Sequence, residues 1–318
     1  MFRFLVNPAA GGGRARRYLS RIRARAAALG AELHVSCSGP DLADQASRAA
    51  AAGAERLIIA GGDGSMHLAV QGLAGSDCAL AVLPCGRGDD LARSIGVPAR
   101  FEDALELATA GVPRPIDLGR SGDRWFVLYC GAGFDSACSV TADRQPRWWP
   151  DKLTYIAAVF RTVVGFEPPR ARVEWQGGSY DGDVMFVTAC NAPRFGGGMY
   201  IAPAAEMDDG QLDLVVIRSM SKLHLLLRVF PKVFKGRHVG HPAVAIHRTP
   251  WARVSFDSEQ VVGCDGELIG RVQREPLELS IVPGALRVVA GGAGRDQSRE
   301  VTRVTGVPDR SAQHRRGG

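Results

Sequence analysis

The sequence predicts a parallel, helix-covered α/β unit followed by an antiparallel β-rich unit. Three observations lead there. Short apolar runs alternate with helical patterns up to residue 118. Three of those runs end in glycine-rich turns. After "PRPIDLG" the texture changes to a succession of short strands separated by Gly, Asp or Pro.

Taken in order, "FRFLVN" reads as a strand and "RARRYLSRIRARAAALG" as a helix closed by Gly30. "AELHVSC" is a strand, and "DLADQASRAAAAG" a helix with Asp41 as its N-cap. "ERLIIAGG" is a strand, "SMHLAVQGLAG" a helix and "CALAVLPCG" a strand. In the second unit, "RWFVLYCGAG", "ARVEWQGG", "GDVMFVTACNA", "LDLVVIRS", "AVAIHR", "ARVSFDS", "QVVGCDG" and "LELSIVPGALRVVA" read as strands. Two helical stretches interrupt them, Asp151–Val164 and Ser221–Lys235. The boundary falls near Gly119, giving an α/β unit at 1–118 and a β-rich unit at 119–292. Residues 293–318 read as a disordered, Arg-rich tail.

The chain has 318 residues, 46% of them hydrophobic, enough for a large core in two domains. At 23% charged residues, wholesale disorder is excluded. Of the formal charge of +6, Arg295–Gly318 contributes six Arg and three acidic residues, so the remainder carries +3. That mild excess suits a nucleotide or an anionic membrane surface and does not call for nucleic acid. The seven cysteines are scattered without a C-x-x-C, which reads as reduced, packed thiols in a cytoplasmic protein. No apolar run approaches the ~18–20 residues that span a bilayer. Membrane contact would therefore be peripheral, at the inner face.

The glycine-rich exits are "VNPAAGGG" (Val6–Gly13), "AGGDG" (Ala60–Gly64) and "PCGRGDD" (Pro84–Asp90). In a parallel sheet all three lie along the carboxyl edge, where ligands bind. Glycine lets backbone N–H groups approach an anion, and the helices that follow present their positive ends to it. Three such turns suggest a polyphosphate. Asp63 and Asp90 make sense there if Mg²⁺ or a cationic side chain intervenes, or if they fix the loop.

These blocks resemble the diacylglycerol-kinase-like lipid kinases, a family with sphingosine and ceramide kinases among its members. "NPAAGGG", "GGDGS", "PCGRGDDLAR" and "PIDLG" match its first-domain blocks in order, and "FGGGMYIAPAAEMDDGQLDL" and "CDGEL" match its second-domain blocks. The resemblance implies a Rossmann-like domain of the NAD kinase/diacylglycerol kinase type, with the active site in the interdomain cleft. It implies ATP and Mg²⁺ as cofactors and a diacylglycerol-like lipid alcohol as acceptor, giving a phosphatidate-type product of phospholipid biosynthesis. It also admits a homodimer. By matching positions, Glu267 is the general base, and Asp117 and Asp63 orient the Mg²⁺–phosphate and the loop. Nucleotide falls to Asn7, Pro8, Gly11, Gly12, Gly61, Gly62, Asp63, Gly64, Ser65, Gly86, Arg87 and Asp90. A second Mg²⁺ falls to Glu206, Asp209 and Gln211, oxygen ligands suited to a hard cation.

Four positions depart from the family pattern. His67 and Leu68 replace Asn and Glu, Arg87 replaces Thr or Ser, and Asp89 replaces Asn. Arg87 is placed to bind phosphate directly. Asp89 beside Asp90 is repulsive unless Arg87 or Arg93 compensates. An NAD kinase and a nucleotide- or lipid-binding pseudokinase are the rival readings. His67 reads as a solvated or capping residue. "SKLHLLLRVFPKVFKGRH" places Leu223, Leu226, Leu227, Phe230 and Phe234 on one stripe and His224, Arg228, Lys232 and Lys235 on the other, with a kink at Pro231. Such a helix covers the core or lies on an anionic membrane. Trp148 and Trp149, between Arg147 and Lys152, would suit a membrane interface if exposed.

Overall fold

A computed structural model of the chain describes residues 1–143 and 151–292. The tail and the Trp148–Trp149 pair lie outside the described residues.

The first unit runs β1 (Phe2–Val6), α1 (Ala10–Ala28), β2 (Glu32–Val35), α2 (Gly39–Ala51), β3 (Arg56–Gly61), α3 (Asp63–Leu73) and β4 (Ala79–Pro84). Then come α4 (Asp90–Ser94), α5 (Phe101–Ala110) and β5 (Pro113–Ser121). Strands β2, β1, β3 and β4 lie side by side in that order, all parallel. β3 is buried at every position, as a strand covered on both faces must be, and this is why its sequence reads as an uninterrupted apolar run. The register places Val6 opposite Ala60 and Gly61 opposite Pro84. The three exits therefore leave the sheet level with one another, on a single edge.

The second unit adds β6 (Arg124–Phe126), β7 (Tyr129–Gly133), α6 (Phe134–Asp143), α7 (Asp151–Gly165), β8 (Arg170–Trp175), β9 (Gly178–Cys190) and β10 (Leu212–Arg218). It continues with the short helices α8 (Lys222–His224) and α9 (Phe230–Val233), then β11 (Val244–Thr249) to β12 (Trp251–Phe256). Strands β13 (Gln260–Cys264), β14 (Glu267–Val272) and β15 (Leu277–Val289) close the chain. Pairings within this unit are antiparallel, and β8 and β12 alternate exposed and buried residues over a second core of Phe126, Val173, Leu214 and Val254. The last strand is the seam: β15 pairs with β12, with β5 and, at Val288 opposite Leu80, with β4.

Several expectations are corrected. The N-cap of α2 is Ser38, whose hydroxyl accepts from Asp41 N at 3.2 Å. The Asp41 carboxylate turns back to His34 Nε2 and Cys37 N, both at 2.9 Å, and the His34 bond is the main cause that lowers it to about 2. The cysteines are not all free: Cys130 on β7 and Cys264 on β13 are directly paired across the sheet, with Cα atoms 4.2 Å apart, and are joined as a disulfide. They are separated by 134 residues, so no local spacing announces the bridge. The Ser221–Lys235 stretch is a broken helix, with a π-helical turn at Leu225–Val229 ahead of Pro231. Its core side is Leu225, Val229 and Val233; Leu226 and Phe230 are half-buried, and Leu223, Leu227 and Phe234 are exposed. No described helix is long and apolar enough to cross a membrane.

Candidate active site

The three glycine exits interlock. Helix α1 opens with Gly11, Gly12 and Gly13 at positive φ, so regular helix starts only at Arg14. A Cβ on Gly11 would stand 2.1 Å from the Cys85 carbonyl oxygen, which makes glycine obligatory there. Asn7 donates to Ser65 Oγ at 2.9 Å, tying the first loop to the second. Arg14 donates to the Gly86 carbonyl at 2.9 Å, tying the first to the third. Gly62 and Gly86 touch backbone to backbone: a Cβ on Gly62 would lie 2.8 Å from Gly86 Cα. Arg87 is exposed and reaches over the first loop, and a methyl on Gly12 would lie 3.8 Å from its Nη2. Pro8 is half-buried in the turn between β1 and these glycines. Every residue assigned to nucleotide from the sequence thus belongs to one interlocked set of loops.

Three carboxylates lie among them. Asp63 Oδ1 accepts from Leu91 N at 3.1 Å and so holds the third loop to the second. Asp89, at φ 51°, accepts from Gly86 N at 2.8 Å and closes its own turn. Asp90 is 2% exposed, and its Oδ2 accepts from Gly197 N at 2.7 Å, across the cleft. Its Oδ1 is buried without a partner. Burial is the first cause that raises all three, taking Asp89 and Asp90 to about 6. Arg14 and Arg93 pull Asp89 back, and Arg93 and Arg194 do so for Asp90. Arg14, Arg194 and Gly197 are contributors the sequence reading missed.

Opposite stands the Asp265–Gly266–Glu267 turn. Asp265 is buried at φ 51° and accepts from the backbone N–H groups of Val127, Leu128 and Tyr129 at 2.9, 2.7 and 3.1 Å. His67 Nδ1 completes its set at 3.1 Å. The reading of His67 as solvated is therefore corrected: it is 3% exposed, and it links α3 to this turn. With Asp265 pinned and Gly266 at φ 91°, Glu267 is exposed and leans on the second loop. A methyl on Gly64 would lie 3.0 Å from Glu267 Oε1.

Asp117 does something else. Its two carboxylate oxygens accept from Gly284 N at 2.8 Å and Gly210 N at 2.7 Å, so it pins the Asp-Asp-Gly turn and the β15 bulge. In that turn, Asp209 accepts from Gln211 N at 2.9 Å and is paired with Arg248, while Asp208 is paired with Arg114 at 3.1 Å. Glu206 is half-buried nearby in sequence. The cation beside Asp209 is a guanidinium, so Glu206, Asp209 and Gln211 do not fit a resident metal in this arrangement.

The model of the diacylglycerol kinase catalytic domain matches residues 1–121, and that of the YegS C-terminal NAD kinase beta sandwich-like domain matches residues 129–290. A diacylglycerol kinase of Mycobacterium tuberculosis (strain ATCC 25618 / H37Rv) is 33% identical over 295 residues, covering 90% of this chain and 93% of its own. The chain belongs to the diacylglycerol kinase family.

Within this family, a diacylglycerol kinase of Bacillus subtilis (strain 168) is 26% identical over 284 residues, covering 87% of this chain and 93% of its own. The solved structure of a putative diacylglycerol kinase from Bacillus anthracis str. Sterne shares the two-part fold, with a TM-score of 0.76 at 22% identity over 92% of this chain and 97% of that one. The family's members are lipid kinases. The departures at His67 and Asp89 have structural uses here, as anchor of the Asp265 turn and closure of the third loop.

Proposed function

We propose that the chain transfers the γ-phosphoryl group of ATP, presented as its Mg²⁺ complex, to the hydroxyl of diacylglycerol or a similar lipid alcohol. The products are ADP and a phosphatidate-type lipid. The acceptor oxygen forms the new P–O bond as the bond to the β-phosphate oxygen breaks, and the hydroxyl proton passes to Glu267. The glycine-rich loops supply backbone N–H groups to the phosphates, with Arg87 above them. Asp63 and Asp89 keep the loops in shape, and Asp90 faces the cation that the nucleotide brings. Asp117 is a positioning residue. No step runs through a resident metal at Asp209. The acceptor comes from the inner face of an anionic membrane, into the cleft between residues 1–118 and 119–292.

The observation that carries this reading is the approach of the exposed Glu267 carboxylate to Gly64, at the start of α3. Phosphoryl transfer asks mainly for positioning and charge neutralisation, so loops, cation and one base suffice. The test is transfer of labelled γ-phosphate from ATP to mixed-micelle diacylglycerol by wild type and Glu267→Gln. The expected result is labelled phosphatidate from wild type and a drop of roughly 10²–10⁴-fold in the variant. Equal labelling by both proteins would remove Glu267 from its role. Labelled NADP in place of labelled lipid would move the chain to the NAD kinase reading.

A further inference from the structure

The sequence holds four lysines, at 152, 222, 232 and 235, and all other members of its 39 basic residues are arginine. All four fall in α7 and in the α8–α9 region. The stretch Ser221–Lys235 holds Lys222, Arg228, Lys232 and Lys235 and no acidic residue. This stretch also carries exposed apolar side chains. Leu223, Leu227 and Phe234 are 67%, 64% and 43% exposed, although the same helix buries Leu225, Val229 and Val233 on its inner side. Leu223, Leu227, Phe230 and Phe234 follow steps of four, three and four residues, and the last two rings meet edge-on at 5.6 Å. Lys222 Nζ donates to the Val164 carbonyl at 2.6 Å, bringing the end of α7 alongside, where Phe160 and Val164 are 53% and 75% exposed.

We infer that this face, α8–α9 with the end of α7, is the surface by which the protein docks on an anionic lipid bilayer. An exposed apolar stripe edged by cations of one sign matches a bilayer, whose interior takes the leucines and phenylalanines while its anionic headgroups take the lysines. A second copy of the chain would bring the same positive rim against itself. The face also connects to the site. Tyr200 N bonds the Val233 carbonyl at 3.0 Å, and Gly197 N, three residues earlier, bonds Asp90 at 2.7 Å. Docking therefore sets the cleft wall beside the membrane, and its role in delivering the acceptor rests on the kinase reading above.

The experiment is co-sedimentation of the full chain and its Leu223→Ser/Leu227→Ser variant with phosphatidylcholine vesicles, with and without phosphatidylglycerol. It runs beside phosphorylation of a short-chain, water-soluble diacylglycerol and light scattering. Both substituted side chains are exposed, so the fold is retained. Wild type binds the anionic vesicles and releases them in high salt. The variant loses about tenfold or more in binding, while its rate on the soluble acceptor matches wild type. Vesicle binding that is equal in the two proteins, or absent from wild type, overturns the inference. So does a wild-type dimer that the substitutions split without changing vesicle binding, because the face then belongs to a second copy. If no acceptor is phosphorylated but the binding difference appears, the kinase reading fails and the docking surface stands.

Discussion

Two Asp-Asp pairs occupy the two sides of this molecule, and they are treated in opposite ways. Asp208 and Asp209 each meet an arginine, Arg114 and Arg248. Asp89 and Asp90 meet backbone N–H groups, of Gly86 and Gly197, and one Asp90 oxygen meets nothing. The first pair is ion-paired by the chain itself, although burial still raises Asp209. The second is held in shape by the backbone, and Arg14, Arg93 and Arg194 only partly offset a burial that lifts both acids to about 6. If the nucleotide brings a cation, as proposed, the second pair is the one left to meet it, whereas the first already has guanidinium partners.

Substitutions at the two pairs should therefore separate activity from stability. The largest effect is expected from Asp90→Asn, which keeps an acceptor for Gly197 N but removes the charge. Its kcat/KM for ATP should fall on the order of a hundredfold. Activity near wild type would break the contrast. The same variant should gain stability. Since folding raises the Asp90 pKa from 3.8 to about 6, the folded chain binds the extra proton between those values, and stability declines as pH rises through them. Urea melts should show Asp90→Asn ahead by about 1–3 kcal/mol at neutral pH, and level with wild type near pH 4. A gap that persists at low pH would point to packing instead of charge.

Smaller effects should follow on the other side. Arg248→Ala leaves the partly buried Asp209 with only Gln211 N, and should cost about 1–2 kcal/mol in the same melts. Its kcat should stay close to wild type. The smallest effect is a null. Because guanidinium groups serve this turn, chelator should shift the melting temperature of the nucleotide-free protein by less than about 1 °C. A larger fall would show a structural metal that Arg248 does not replace.

The parallel sheet and its loops were legible because their signals are local. "IIAGG" is an apolar run ending in glycine, and a strand with helices on both faces can hardly be written otherwise. Helix α5 was not read from the sequence, although Phe101, Ala104, Leu105 and Ala108 recur at helical spacing on its buried face. The partners of the site were not legible. His67 and Asp265 lie 198 residues apart, and nothing near either one names the other. Arg14 reads as one of a run of surface arginines until the third loop is folded over it. The stripe of Leu223, Leu227 and Phe234 was located by its spacing, but which side meets the core was left open, because Leu225, Val229 and Val233 make the other side apolar as well.

The seam strand β15 has a consequence for how the protein is made. Leu80 leaves the ribosome 208 residues before its partner Val288. At roughly 5–20 residues per second, the parallel sheet waits on the order of 10–40 s with its β4 side uncovered. Such a bare strand edge is a template for joining another chain. Synthesis is thus the interval in which chaperone cover matters most, and a chain cut short before residue 277 would carry that sticky edge permanently.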